Sequence, residues 1–188
     1  MEYEKIGASF STTRHPRSAI GRSADGKTML VTVDGRQGIS KGVSLPELSA
    51  IMKRLGAVDA INLDGGGSTT LSYRGSVINS PSGGIQRTVA NGVLVFAKQP
   101  QNEEVSGLSI LVPAQQLAVS KGTQLYLTQG DEKYPLAQNQ IDRIVWATSN
   151  GMGFINQYGY LIPSRVRKGP IRAFYGDQQV EIEVNVAE

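Results

Sequence analysis

Cysteine is absent from this 188-residue chain, and histidine and tryptophan occur once each. Without a thiol there is no disulfide, no thiolate nucleophile and no zinc site of the cysteine type. The lone histidine, His15, could exchange protons. No Ser-His-Asp triad can be built on it, because nothing in the sequence places a serine beside it. No apolar run approaches the ~20 residues of a membrane-crossing helix. Residues 1–25 are polar and show no apolar leader segment, as a mature or trimmed form also would. Aromatic residues are scarce at 6% and do not interleave with basic ones, which argues against a nucleic-acid surface.

What remains is an ordinary globular composition, 39% hydrophobic and 19% charged, long enough for one large domain or two small ones. The net charge of +3 is uneven. Residues 1–100 carry 12 Lys/Arg against 7 Asp/Glu, and residues 101–188 carry 7 against 9. A basic first half suits an anionic substrate, although scattered charges also make a plain solvated surface. The polar, proline-containing stretch Lys98–Glu104 reads as a linker. It divides a first domain, residues 1–98, from a second, residues 105–188.

In the first domain, Ser18–Ser23 and Thr28–Asp34 read as strands joined by the turn Ala24-Asp25-Gly26-Lys27. Ser44 and Glu47 form a capping-box pattern. Pro46 sits in the first turn, and Leu45, Leu48, Ile51, Met52 and Leu55 fall on one stripe, so a helix spans Ser44–Gly56 with that stripe in the core. Ala60–Asp64 reads as a short buried strand, Thr69–Tyr73 and Ser76–Asn79 as a hairpin about Arg74-Gly75, and Val89–Ala97 as a last strand. One helix among strands gives an α+β half with a mixed sheet. The second domain lacks a helical period. It offers about seven short strands: Val105–Val112, Gln116–Val119, Gln124–Gln129, Ile144–Thr148, Gly153–Ile155, Pro170–Tyr175 and Val180–Val186. That spacing suggests an all-β sandwich, with Trp146 in its core.

The most unusual residues are Asp64-Gly65-Gly66-Gly67-Ser68. Three glycines directly after a strand are costly in chain entropy. They suit a backbone that turns sharply or meets a ligand closely, and successive N–H groups in such a turn can cradle an anion. A plain flexible turn is the alternative. Asp34-Gly35-Arg36 has the same logic at another strand end: a carboxylate for acid/base work beside a guanidinium for phosphate. Asp34 and Asp64 are a candidate pair for glycosyl transfer to water, which commonly uses two carboxyl groups. A shared calcium or magnesium ion is the alternative use of such a pair. Arg17 and Arg87 are further candidates for a phosphate, each with a surface role as its alternative.

In chain order, Arg17-Ser18-Ala19-Ile20-Gly21, Val33-Asp34-Gly35-Arg36-Gln37, the Ser44–Gly56 helix, Asn62-Leu63-Asp64-Gly65-Gly66-Gly67-Ser68-Thr69-Thr70 and Arg87 resemble the phosphodiester glycosidases. The resemblance spans about Arg14–Ala97. It implies a hydrolase that cleaves a sugar from a sugar-1-phosphate diester. Carried over residue by residue, it implies catalytic Asp64 and Asp34. Substrate and phosphate contacts would come from Arg17, Arg87, Gly35, Gly65, Gly66, Gly67 and Ser68. His15 is not required by it. The family's domain has a longer N-terminal portion with an Asn-Gly-Gly-Phe-like motif. The resemblance therefore implies that this chain holds the C-terminal part of the domain. Sheet edges left open would then suit a partner chain or a swapped dimer. The run from Ile144 to Val186 resembles bacterial immunoglobulin-like domains of surface proteins, which implies an extracellular or cell-surface setting. A different class of function is a non-catalytic carbohydrate- or cell-wall-binding surface module on the same fold.

Overall fold

The hairpin signal of Ala24–Lys27 is realised with Gly26 at φ 84°, a value that glycine reaches without strain. The Ser23 N–H donates to the Lys27 carbonyl at 2.9 Å and closes the turn. In the computed structural model, residues 7–96, 105–113, 116–130, 141–148 and 151–188 are described. They are mostly β-structure, with two short helices among them, α1 (Ala8–Thr12) and α2 (Leu45–Arg54). By internal contacts the chain falls into two units. One is Met1–Leu71 with Pro81–Thr88, and the other is Ser72–Ser80 with Val89–Glu188.

In the first unit, β1 (Arg17–Ser23) lies between β2 (Thr28–Val33) and β3 (Ala57–Asn62), both antiparallel to it. Helix α2 packs Leu48 and Met52 against Ala19 of β1, with Met29, Val31 and Ala57 around them. Gly21 makes room for this, since a Cβ there would stand 2.6 Å from the end of Met52. The capping box forms as the sequence specifies. The Ser44 N–H donates to Glu47 Oε2 at 2.8 Å, and the Glu47 N–H to Ser44 Oγ at 3.4 Å. Gly56, at φ 89°, ends the helix.

Three expectations are corrected. Leu55 lies beyond the last helical residue and is exposed, outside the core stripe. The strand expected to be buried at Ala60–Asp64 runs over Ala57–Asn62 and is exposed beyond Ala57; among the described residues it is the edge of its sheet and pairs with β1 alone. The strand expected at Val89–Ala97 is not seen: among the described residues, 89–96 join no ladder, and Phe96 is 90% exposed. Ala97 and the linker Lys98–Glu104 lie outside the described residues.

In the second unit a short hairpin pairs β4 (Ser72–Tyr73) with β5 (Ser76–Val77). Arg74 and Gly75 both have positive φ, 49° and 77°, the signature of a tight hairpin turn. Its residues pack on strands from the C-terminal half. The Tyr73 ring meets the Phe174 ring edge-on at 5.3 Å, and Arg74 Nη2 lies 3.3 Å from Asp177 Oδ1. The remaining strands are β6 (Leu108–Leu111), β7 (Leu117–Ala118), β8 (Thr123–Gln124), β9 (Tyr126–Gln129), β10 (Ile144–Thr148), β11 (Gly153–Ile155), β12 (Tyr160–Pro163), β13 (Arg167–Tyr175) and β14 (Gln178–Ala187). They pair in the orders β10-β13-β14-β7, β11-β12-β8 and β6-β9, with β7 parallel to β14 and the rest antiparallel. Side chains from all three sheets meet in one core that includes Leu127, Trp146, Leu161, Ile171 and Val186. Strand β12 was not foreseen from the sequence.

Candidate active site

The site lies at one end of the first unit's sheet, where β1 begins. Val33, the last residue of β2, pairs with Arg17, and Asp34 follows it. On the other flank the Leu63 N–H donates to the Ser18 carbonyl at 2.8 Å, and the Gly66 N–H to the Pro16 carbonyl at 2.8 Å. Asp34 and Asp64 therefore leave the two outer strands on opposite sides of Pro16–Arg17. Two strand spacings put their backbones roughly 10 Å apart.

Glycine is required at this end by close backbone approach. A Cβ on Gly35 would lie 2.8 Å from Pro16 N, and one on Gly65 2.7 Å from Pro16 O. Both glycines let the neighbouring chains press against the residue before Arg17. After Gly65 the chain makes a single 3₁₀ turn, Gly66–Ser68, and Asp64 Oδ1 accepts the Gly65 N–H at 2.8 Å. Thr69 is buried behind this turn, and Ser18 Oγ lies 3.4 Å from Thr69 Oγ1.

Two exposed arginines border the bare glycine turn. A Cβ on Gly66 would lie 3.3 Å from Arg36 Nη2, and one on Gly67 would lie 3.6 Å from Arg87 Cδ and 3.8 Å from its Nη1. Each guanidinium thus lies close to a backbone that carries no side chain. The structure brings together Asp64, Gly65, Gly66, Gly67 and Arg87 of the expected residues, with Ser68 closing the turn. Asp34 and Gly35 stand across Pro16–Arg17 from them.

Arg17 is used differently from the sequence expectation. It is 2% exposed, and its Nε and Nη2 donate to the carbonyls of Val43 (3.1 Å), Phe10 (2.8 Å) and Thr13 (3.1 Å). Its guanidinium also lies 4.7 Å from the centre of the Phe10 ring. Arg17 fastens α1 and the Val43 strand-like segment to the start of β1. Burial, then the charge of Arg36, pull its pKa down.

Sequence reasoning set His15 aside, yet it joins the site: Arg36 Nη2 lies 3.1 Å from His15 Nδ1. Desolvation comes first, followed by the charges of Arg36 and Arg17, in holding His15 below its ordinary pKa. No pattern in the sequence joins His15 to Arg36, and the pair becomes visible only in the folded backbone. Arg36 follows Asp34-Gly35 in a tight turn and takes φ 59°, a conformation few non-glycine residues hold without a reason. Among the described residues no group of three or more His, Asp or Glu side chains stands close enough to hold a metal ion, so the calcium or magnesium alternative has no ligand cluster there. No helix among them is long and apolar enough to cross a membrane.

A strand-end carboxylate, a glycine turn and two guanidinium groups beside it form an arrangement that suits an anion. Comparison with known proteins gives the family. The phosphodiester glycosidase family profile matches residues 2–96, and the chain belongs to that family. The chain is 38% identical over 82 residues to the SPbeta prophage-derived uncharacterized protein YomE of Bacillus subtilis (strain 168), a match covering 44% of this chain and 13% of that protein. It is 32% identical over 105 residues to the N-acetylglucosamine-1-phosphodiester alpha-N-acetylglucosaminidase of Mus musculus, covering 52% and 20%. To the protein of the same name in Homo sapiens it is 39% identical over 66 residues, covering 35% and 13%. The chain thus spans a fifth or less of the length of these relatives.

Proposed function

We propose that this chain supplies the phosphate-binding part of the active site of a hydrolase that cleaves a sugar from a sugar-1-phosphate diester. The observation that carries the reading is the pair of exposed guanidinium groups, Arg36 and Arg87, against Gly66 and Gly67 in the turn that begins at Asp64. In such a reaction the bond from the sugar's anomeric carbon to the phosphate oxygen breaks, and water supplies the new oxygen. A phosphate monoester is a weak base, so its departure needs little protonation. It does need its growing charge balanced, and two guanidinium groups do that. Asp64 and Asp34, on either side of Pro16–Arg17, are the carboxylates for nucleophilic or acid/base work. Arg17 supports the site by fixing its floor. The family names on the mouse and human relatives support this substrate class.

In this reading the first half is the α+β catalytic part, spanning residues 1–98, and residues 105–188 are an immunoglobulin-like module of an extracellular protein. A partner chain or a swapped copy completes the open sheet edge at β3.

Sugar release from UDP-N-acetylglucosamine tests the assignment. Asp64→Asn should lower turnover by about a thousandfold or more with the circular dichroism spectrum unchanged. Unchanged turnover would remove Asp64 from the chemistry. Sugar binding without any turnover in the unsubstituted protein would favour the non-catalytic carbohydrate-binding module instead.

A further inference from the structure

We propose that His15 is a positioning residue for Arg36: its neutral imidazole accepts a hydrogen bond at Nδ1 and holds the guanidinium over Gly66, ready for a phosphodiester oxygen. The ligand in this proposal rests on the reading of the Asp64–Ser68 turn as a sugar-phosphate site.

The contact assigns the protons. A guanidinium has donors and no acceptor, so at 3.1 Å from Arg36 Nη2 the His15 Nδ1 must present its lone pair. The ring hydrogen is then on Nε2. Protonated His15 could not accept this bond and would repel the cation that it now orients. Desolvation and the nearby charges of Arg36 and Arg17 favour the neutral ring, consistent with this geometry.

Both partners are held from behind. His15 exchanges two backbone hydrogen bonds with Val43, at 3.1 and 3.0 Å. Gly42, at φ 90°, lies so close that a Cβ there would be 2.4 Å from the His15 carbonyl carbon. Arg36 leaves a turn closed by the Gln37 N–H to the Ser40 carbonyl at 2.9 Å. Its φ of 59° sends the side chain in a direction that a relaxed backbone would not choose. A long side chain on the surface samples many rotamers, and a fixed acceptor near its end selects the one that reaches Gly66. The imidazole thus supplies preorganisation, so that Arg36 is in place before an anion arrives.

The chain contains a single histidine, so its imidazole signals need no assignment. A long-range proton–nitrogen spectrum of the free protein should show hydrogen on Nε2. Arg36→Gln should move the His15 titration midpoint upward. Binding of UDP-N-acetylglucosamine, followed by calorimetry, then reads the positioning role. His15→Asn, whose amide oxygen can replace Nδ1, should stay within about threefold of the parent, and His15→Leu should weaken binding about tenfold. In an Arg36→Gln background, His15→Leu should add nothing further. Hydrogen on Nδ1, or a midpoint unmoved by Arg36→Gln, would overturn the contact. Parent-like binding by His15→Leu, or losses that multiply with those of Arg36→Gln, would overturn the positioning role. Arg87→Gln should weaken binding in every background. If the spectrum shows the contact and neither the parent nor any variant binds the diester, the sugar-phosphate reading fails, and the ligand proposed for this pair fails with it.

Discussion

Arg17 is a residue whose place in the sequence suggests one task and whose place in the fold shows another. The sequence placed it at the head of a motif beside a candidate phosphate site. The fold buries it and gives its Nε and Nη2 to three backbone carbonyls. No sequence pattern could show that, because the carbonyls come from Phe10, Thr13 and Val43, two of them before the strand and one far after it. Arg36 and Arg87 remain exposed beside the glycine turn. Truncation of Arg17 would leave those carbonyls without a charged donor and an empty space beside Phe10. Arg17→Met should therefore destabilise the first unit by about 3 kcal/mol, because hydrogen bonds to a buried charged group are among the stronger ones. Urea unfolding followed by a probe in that unit checks this. A loss below about 0.5 kcal/mol would mean that solvent replaces the carbonyl contacts freely.

At the scale of elements, local signals were legible and partner-dependent ones were not. Helix α2 carried its own cap, stripe and stop, and it forms with them. The Arg74-Gly75 hairpin carried its own turn chemistry. The apolar composition of β3 suggests burial, but a strand's burial depends on the neighbours that cover it, and among the described residues β3 pairs with β1 alone. Residues 89–96 have the composition of a strand, but no ladder forms there among the described residues. Strand β12 was overlooked because its four residues, Tyr160–Pro163, end in proline and follow a glycine turn. The capping box of α2 gives a direct prediction. Glu47 is held down to about 2 from its usual 4.5, first by the Ser44 N–H and then by Arg14. The folded carboxyl binds its proton more weakly than the unfolded one does. Its stabilising effect is complete above pH 4.5 and is lost as the pH falls toward 2. Ser44→Ala removes the reciprocal bond and should cost about 1 kcal/mol at neutral pH. In the same variant the Ser44 N–H and Arg14 still face the Glu47 carboxylate, so the acid-dependent loss between pH 4.5 and 2 should largely persist. Denaturant midpoints measured at several pH values would show both effects, and a variant with an unchanged midpoint at neutral pH would deny the cap its role.

For the whole molecule, the candidate site depends on contacts between distant parts of the chain. The sheet order β2-β1-β3 gathers Pro16–Arg17, Asp34–Arg36 and the Asp64–Ser68 turn at one end, and Arg87 reaches the turn from outside the sheet. Sequence order alone supplied the members, and topology supplied the fact that Asp34 and Asp64 flank the same residues. Among the described residues the same topology leaves one edge of β3 without a neighbouring strand. Val58 and Ile61 on it are 59% and 66% exposed, with the exposed Leu55 close by in sequence. Its one described ion pair, Arg22 with Asp59 at 3.4 Å, is exposed and adds little. An unprotected edge carrying branched apolar side chains is a template for another strand. The chain should therefore associate as its concentration rises, with β3 as the contact. Replacing Val58 and Ile61 together by lysine places two charges on that edge. It should reduce association by about tenfold or more, through like-charge repulsion and the loss of apolar contact. Both side chains are mostly in solvent, so the folding stability of the unit should change by no more than about 0.5 kcal/mol per site. Sedimentation velocity across a concentration series separates the two effects. Association unchanged in the double variant would place the contact elsewhere, on a surface that does not use β3.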